Sequence, residues 1–229
     1  MSTTSRRLTA ALMVLAAALA NAAFIGLGSI FEYPDILQQP TEEILAKFLA
    51  DEGAIVALFA TLAVAAALLA PVAFLLGRLA ANEMGRWSIV VGIAAALVQV
   101  IGLLRWPLLV PSFAAEKDTD AFETAHTLLG TVVGETFGYL LTAAWTVLIV
   151  LALGRRLAGP WLSVLGIGSA ALIAVGVFVP LDLPGADLSN FVGYIAWSIW
   201  LIAFAVFIWR RPIPADDPET DRRPLPVPA

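Results

Sequence analysis

The sequence predicts an all-α membrane protein, a polytopic bundle of six transmembrane helices with both the N- and the C-terminus in the cytoplasm. Three observations predict this fold: the composition, six long apolar stretches, and the placement of arginine between them. Of the 229 residues, 60% are hydrophobic and only 14% are charged, whereas soluble domains carry about 25% charged residues. A chain this short cannot bury such an apolar surplus in a water-soluble core, so lipid must be its solvent.

The six apolar stretches are long enough to cross a bilayer. A helix needs about 20 mostly apolar residues to span a hydrocarbon core of about 30 Å. Lipid offers the backbone no hydrogen bonds, so each stretch should be helical. We number them spans 1 to 6, with predicted limits of 8–31, 54–79, 88–110, about 127–154, 161–180 and 191–209.

The basic residues give the orientation. Ten of the thirteen Lys and Arg residues lie before span 1, from the end of span 2 to the start of span 3, between spans 4 and 5, or after span 6. With six spans, all ten fall on one side of the membrane, which the positive-inside rule assigns to the cytoplasm. Lys47 and Lys117 lie on the opposite side, and Arg105 lies within span 3. We therefore expect a multi-pass protein of the cell (inner) membrane.

Three segments outside this scheme carry their own predictions. Arg6, Arg7 and the alanine-rich run after them resemble a signal peptide, but the apolar run continues to Ile30, which favours a retained helix. Thr41 can cap a short amphipathic helix at about 42–50, either on the outer membrane surface or as an extension of span 2. The proline-rich tail 212–229 should be disordered on the cytoplasmic side.

The composition also excludes several classes of function. The chain has no cysteine and one histidine, which excludes cysteine and multi-histidine metal sites and haem bundles with paired histidines. No nucleotide-binding or hydrolase motif is present. We therefore expect no metal, no cofactor, no catalytic residue and no nucleic-acid partner.

Two charged residues lie within spans, where a charge is costly and usually functional. Arg105 lies nineteen residues after Arg86, and Glu135 lies twenty residues before Arg155. At 1.5 Å per residue, each is about 30 Å from the cytoplasmic border. Both should therefore lie at the same outer depth and form a pair, directly or through water. The sequence leaves three roles open: a ligand site, an ion pair that only fixes helix docking, or an Arg105 side chain that reaches the outer headgroups.

Span 4 carries two patterns around Glu135. Gly130, Gly134 and Gly138 form a ridge that allows close packing of a neighbouring helix. The residues that directly follow these glycines begin a polar stripe, which should face protein or a water-filled space rather than lipid. The stripe consists of Thr131, Glu135, Tyr139, Thr142 and Thr146.

Two further residues complete the candidate site. His126 precedes Glu135 by nine residues, which places it half a turn away on an α-helix and near the outer interface. It is expected to be an interfacial hydrogen-bonding residue, with a role as a pH-sensitive group as the alternative. Trp106, next to Arg105, is expected near the outer interface as part of an aromatic belt.

The motifs around these residues resemble a known family. Leu103-Leu104-Arg105-Trp106-Pro107 in span 3 and Gly134-Glu135-Thr136-Phe137-Gly138-Tyr139 in span 4 are similar to the bacterial six-helix membrane proteins of domain-of-unknown-function family 4386. The resemblance extends from about Leu8 to Arg211 and excludes the tail. It implies the six-span architecture but no activity.

The leading functional hypothesis is non-enzymatic. An outward-facing polar pocket around Arg105 and Glu135, with hydrogen bonds from Thr131 and Tyr139, would bind a small or lipidic ligand or a membrane protein partner. A small secondary transporter is the alternative, and an intramembrane enzyme ranks third because the sequence offers no catalytic cluster. The sequence does not determine the oligomeric state.

Overall fold

The computed structural model describes residues 3–80, 82–154 and 159–210 of the chain. Within these residues, six helices are long and apolar enough to cross a membrane, and no strand is present. The predicted all-α fold with six spans is confirmed. The spans are Thr3–Phe31, Glu52–Ala80, Glu83–Glu116, Thr119–Leu153, Pro160–Leu181 and Ala186–Arg210. The predictions for the tail 212–229 and for Arg155 and Arg156 lie outside the described residues.

The spans form a closed ring. Spans that follow each other in sequence pack side by side, and span 6 returns to contact span 1. Arg7 at the start of span 1 lies 5.5 Å from the ring centre of Trp209 at the end of span 6. Successive spans therefore run in opposite directions. One end of the ring, the Arg-rich end, carries Arg6, Arg7, Arg78, Arg86 and Arg210, and the other end, the acidic end, carries the loops that follow spans 1, 3 and 5.

Local sequence explains where the helices start and break. The Asn82 side chain accepts a hydrogen bond from the Gly85 amide at 2.9 Å and starts span 3. Asp118 does the same for Ala121 at 3.0 Å and starts span 4. Span 2 is interrupted at Leu68, between helices Glu52–Ala67 and Leu69–Ala80. Pro71 explains the break, because it lacks the amide hydrogen that would bond to the carbonyl of Ala67.

A short helix at Thr41–Ala50 lies between spans 1 and 2. Its apolar face is buried, and Leu49 is 43% exposed. Thr41 does not cap this helix as predicted, because its hydroxyl donates to the Glu123 carboxylate at 2.8 Å. The Lys47 ammonium lies 2.6 Å from the Glu32 carboxylate. Both contacts hold the short helix across the acidic end of the ring.

Two hydrophobic clusters fill the ring. The inner cluster lies towards the Arg-rich end and takes residues from all six spans, including Met13, Leu76, Trp145 and Trp200. The outer cluster lies at the acidic end around Trp106 and takes residues from spans 1 to 4 and the short helix, but none of its described members comes from span 5 or 6. The candidate site lies between these two clusters.

Candidate functional site

Arg105 lies deep inside the protein, near the end of span 3. Its side chain is only 5% exposed. One terminal nitrogen, Nη1, donates to the Gly102 carbonyl at 2.6 Å. The other, Nη2, lies 3.5 Å from Nδ1 of His126 in span 4, while Nε has no hydrogen-bond partner. The guanidinium group therefore faces span 4 rather than headgroups, and its donors are only partly satisfied.

The glycines of span 4 make room for span 3. A Cβ at Gly130 would lie 2.7 Å from both Cζ and Nη2 of Arg105. Gly134 meets Gly102 backbone to backbone, since a Cβ at Gly102 would lie 2.5 Å from the Gly134 Cα atom. At Gly138, a Cβ would lie 3.0 Å from the Gln99 side chain. The structure thus places all three glycines of the predicted ridge against span 3.

Arg105 and Glu135 were predicted to pair directly or through water, and they make no direct contact. Among the described residues, the only pair of opposite charges within 4.0 Å is Lys47 with Glu32. Glu135 is half-buried, and no donor among those residues gives its carboxylate a hydrogen bond. The charges of Arg105 and Glu135 still influence each other. They are electrostatic neighbours without being in contact.

The geometry of span 4 explains why His126 reaches Arg105. Residues His126–Phe137 form a π-helix of 12 residues, in which backbone hydrogen bonds run from i to i+5. Each turn takes almost one residue more than the 3.6 of an α-helix, so nine residues make about two full turns. His126 and Glu135 therefore share a face, and the prediction that they point in opposite directions was wrong. The His126 ring also stacks on Phe122, at 5.5 Å between ring centres.

All three tyrosines of the chain lie around Glu135. Tyr139 and Tyr194 meet edge to face at 5.9 Å between ring centres. Tyr33, from the loop after span 1, packs against Phe24 at 5.4 Å and Phe59 at 5.3 Å. The pKa of Tyr33 is raised by burial and by the Glu135 carboxylate, an effect that the Arg105 charge opposes. Of these tyrosines, sequence reasoning identified only Tyr139.

Hydroxyl and amide groups extend this polar region towards the Arg-rich end. Gln99 donates to the Thr142 hydroxyl at 2.8 Å, and the Trp197 indole donates to the Thr146 hydroxyl at the same distance. Asn21 of span 1 donates to Ser198 of span 6 at 3.1 Å. Thr142 and Thr146 thus bind polar groups of neighbouring spans, as a stripe facing protein requires. Neither Gln99 nor Trp197 was assigned to the site from the sequence.

Two predicted site residues are placed differently. Trp106 is fully buried, with 0% exposure, and its ring stacks on Phe59 at 4.6 Å. It is the centre of the outer cluster and not a residue of the membrane interface, because the rings of spans 1 and 2 and of the short helix surround it. Thr131 is half-buried. Its backbone carbonyl, rather than the hydroxyl group expected from the sequence, forms a hydrogen bond, which it accepts from the Thr136 hydroxyl at 2.9 Å.

Two surface concavities lie away from this site. One, of about 560 Å³, lies between Arg7 and Trp209 at the Arg-rich end. The other, of about 500 Å³, lies on the outer side of span 4 near Glu123 and Leu128. Within residues 3–80, 82–154 and 159–210, no cluster of three or more His, Asp or Glu side chains could hold a metal ion.

The comparison with known proteins gives a family but no activity. No curated protein and no solved structure matches the chain. The model of the family described as "Domain of unknown function (DUF4386)" matches residues 8–205. This match includes all the residues of the site and nearly all of the six spans, and the chain therefore belongs to the DUF4386 family.

Proposed function

We propose that this protein binds a small or lipidic ligand inside the bundle, between Arg105 and Glu135, and does not act as an enzyme. The observation that carries the proposal is the incomplete hydrogen bonding of these two charged side chains. Arg105 is 5% exposed with a free Nε donor, and the Glu135 carboxylate receives no hydrogen bond from the described residues. A charge in a membrane interior needs a partner. A bound ligand would supply one to both.

The exposure of the surrounding side chains supports a binding space. Tyr33, Gln99, Glu135, Tyr139 and Tyr194 each keep a partly accessible surface. This accessible polar surface next to Arg105 is what a ligand would contact. By contrast, Trp145 and Trp200 in the inner cluster are at most 1% exposed. The binding space would therefore end at the inner cluster.

The acidic end offers the route of entry. The outer cluster packs spans 1 to 4 and the short helix together without described residues from span 5 or 6. On the other side of the ring, Leu183, Leu188 and Phe191 at the start of span 6 and in the loop before it are exposed. A ligand would enter between these two sides, above Tyr139 and Tyr194. If the Arg-rich end is cytoplasmic, as the sequence predicts, this entry faces outwards.

Mass spectrometry of the purified protein tests the proposal. The full chain is purified in detergent as wild type, Arg105→Gln and Glu135→Gln, and extracted small molecules and lipids are compared. Arg86→Gln and Asp120→Asn are matched controls, since both residues are exposed and the charge changes are the same. We expect at least one compound that is retained by wild type and controls and reduced in both site variants. The same profile in all five monodisperse preparations would refute the proposal.

A small secondary transporter is the second candidate function. The observation in its favour is a set of polar contacts on the Arg-rich side of Glu135, made by Thr142, Thr146 and the Asn21–Ser198 pair. A transporter needs such groups beyond the outer half of the bilayer. Proton uptake into liposomes loaded with a pH-sensitive dye, driven by a membrane potential, would support this function if it were lost in Glu135→Gln. Uptake equal to that of protein-free liposomes would count against it.

A further inference from the structure

We propose that the ligand is a zwitterion, whose anionic group binds at Arg105 and His126 and whose ammonium group binds among Glu135 and the three tyrosines. This inference rests on the proposed function and names the chemistry of its ligand. Phosphoethanolamine has the required groups, both as a free molecule and as the headgroup of phosphatidylethanolamine. The argument comes from two half-sites of opposite charge that lie near each other but do not neutralise each other by contact.

The anionic half-site is built from nitrogen donors. Arg105 has an unused Nε donor, and its Nη2 atom has only a 3.5 Å contact with His126 Nδ1. With Nδ1 facing the guanidinium group as an acceptor, the neutral ring carries its proton on Nε2 and can donate there. A guanidinium group binds phosphate or carboxylate through two parallel hydrogen bonds. These are the groups that bind an anion most strongly.

The cationic half-site is built from aromatic rings and one carboxylate. The rings of Tyr139 and Tyr194 meet edge to face at 5.9 Å, and Trp197 continues this wall at 6.4 Å from Tyr194. Glu135 acts electrostatically on both tyrosines and on Tyr33. Aromatic cages with a nearby carboxylate are typical binding sites for ammonium groups. All three tyrosines of the chain, from three separate segments, are used here.

The separation of the two charges selects for a ligand with both signs. Arg105 and Glu135 influence each other, but no atoms of the two charged groups lie within 4.0 Å. A ligand with one charge would compensate one residue and leave the other with an added like charge nearby. A zwitterion places an opposite charge next to each of the two residues, which lowers the cost of burying both in a low dielectric. The ligand charges must therefore lie a few bonds apart, as in phosphoethanolamine.

Defined probes test the inference on the full chain in detergent. The thermal unfolding midpoint is titrated with phosphoethanolamine, with ethanolamine and with inorganic phosphate. We expect saturable stabilisation by phosphoethanolamine, with a Kd roughly tenfold or more below that for either single-charge probe, as the loss of a charge-assisted hydrogen bond implies. Glu135→Gln should weaken phosphoethanolamine binding by a similar factor, and Asp120→Asn should not. Stabilisation of equal strength by phosphate or by ethanolamine would overturn the inference.

A second arm distinguishes a lipid headgroup from a free zwitterion. Wild type and Glu135→Gln are each placed in nanodiscs of phosphatidylethanolamine and in nanodiscs of phosphatidylglycerol. For each protein, the unfolding midpoint in one lipid is subtracted from the midpoint in the other. A difference that disappears in Glu135→Gln supports the lipid as the source, and stabilisation by soluble phosphoethanolamine supports the free molecule. If neither the lipid nor soluble phosphoethanolamine changes the unfolding midpoint, the proposal of a zwitterionic ligand is overturned.

Two further variants keep the result interpretable. Arg105→Lys retains the charge but not the planar fork, and Tyr139→Phe retains the ring but not the hydroxyl group. If Arg105→Gln does not fold, Arg105→Lys should still show roughly tenfold weaker binding of phosphoethanolamine. Unchanged binding in Arg105→Lys and Glu135→Gln would overturn the inference. The proposed function fails separately, when the co-purifying compounds are the same in all variants.

Discussion

The two halves of the bundle differ in how they fill the space between the spans. Towards the Arg-rich end, the inner cluster closes the ring with side chains from all six spans, and Trp145 and Trp200 are at most 1% exposed. Towards the acidic end, the outer cluster joins only spans 1 to 4 and the short helix. Buried polar atoms without a hydrogen-bond partner occur in both halves, at Arg105 and Trp106 in the outer half and at Trp145 and Ser163 in the inner half. Among these four residues only Arg105 is charged, so the outer half bears the larger cost of burying a polar group.

This comparison separates stability from binding. Substitutions in the inner half should lower the stability of the bundle, because they remove packed apolar volume. Substitutions of the polar residues in the outer half should change ligand binding and affect stability less, because those residues contribute few satisfied contacts. Four predictions test this difference, in order of decreasing effect.

The largest effect is expected for Trp145→Ala in the inner cluster. Trp145 is 0% exposed, and removal of a buried tryptophan side chain should cost about 3–5 kcal/mol of unfolding free energy. Trp161→Ala is the control, because Trp161 is 52% exposed and should cost less than about 1 kcal/mol. Unfolding titrations in mixed micelles would measure both. Equal losses in the two variants would contradict the assignment of the core.

A smaller effect is expected where spans 3 and 4 cross. In Gly102→Ala, the new Cβ would lie 2.5 Å from the Gly134 Cα atom. Backbone on both sides cannot give way easily, so overpacking should cost about 1–3 kcal/mol. Gly168→Ala in span 5 is the matched control, since no atom lies within 4 Å of its added Cβ. The same unfolding measurement applies, and an unchanged stability of Gly102→Ala would show that the spans do not touch there.

A still smaller effect is expected for the coupling between Arg105 and Glu135. In a double-mutant cycle of Arg105→Gln and Glu135→Gln, the interaction energy should be about 1 kcal/mol, since the side chains influence each other without contact. Breaking a contacting buried pair costs about 3–5 kcal/mol. A coupling in that higher range would mean that the two charges form a direct ion pair.

The smallest effect on stability is expected for a cysteine introduced beside Glu135. The natural chain has no cysteine, so Thr131→Cys gives a single reactive position that is half-buried. A water-soluble thiosulfonate reagent should modify it in the folded protein. Ser169→Cys, at 1% exposure, should react only after unfolding. Equal protection of both positions would argue against an accessible space in the outer half.

The spans could be predicted from the sequence because hydrocarbon imposes a simple rule on length and composition. The ridge of Gly130, Gly134 and Gly138 was also visible, since small residues at a helical spacing allow close approach. The positions of Arg105 and Glu135 near the same depth followed from counting residues along straight helices. The fold and the close packing of spans 3 and 4 therefore required only local patterns.

The contacts within the site could not be predicted in the same way. Tyr33 lies in a loop, and its position beside Glu135 depends on how that loop folds back over the ring. Trp106 has the spacing of an interfacial residue, but the short helix and the rings of spans 1 and 2 cover it. Tyr194 lies in span 6, four residues after Asn190 and four before Ser198, but nothing in the sequence of its own span indicates that Glu135 of span 4 lies nearby. Each of these outcomes depends on tertiary packing.

The π-helix at His126–Phe137 has a consequence for any sequence aligned with this one. A helical wheel drawn with 3.6 residues per turn puts positions 126 and 135 on opposite faces. In the π-helix, with hydrogen bonds from i to i+5, the two positions lie on the same face. A search for substitutions that vary together should therefore treat these two positions, with position 105, as members of one patch. Adding or deleting a single residue between 126 and 135 would rotate the carboxylate out of that patch, even if every residue type were preserved.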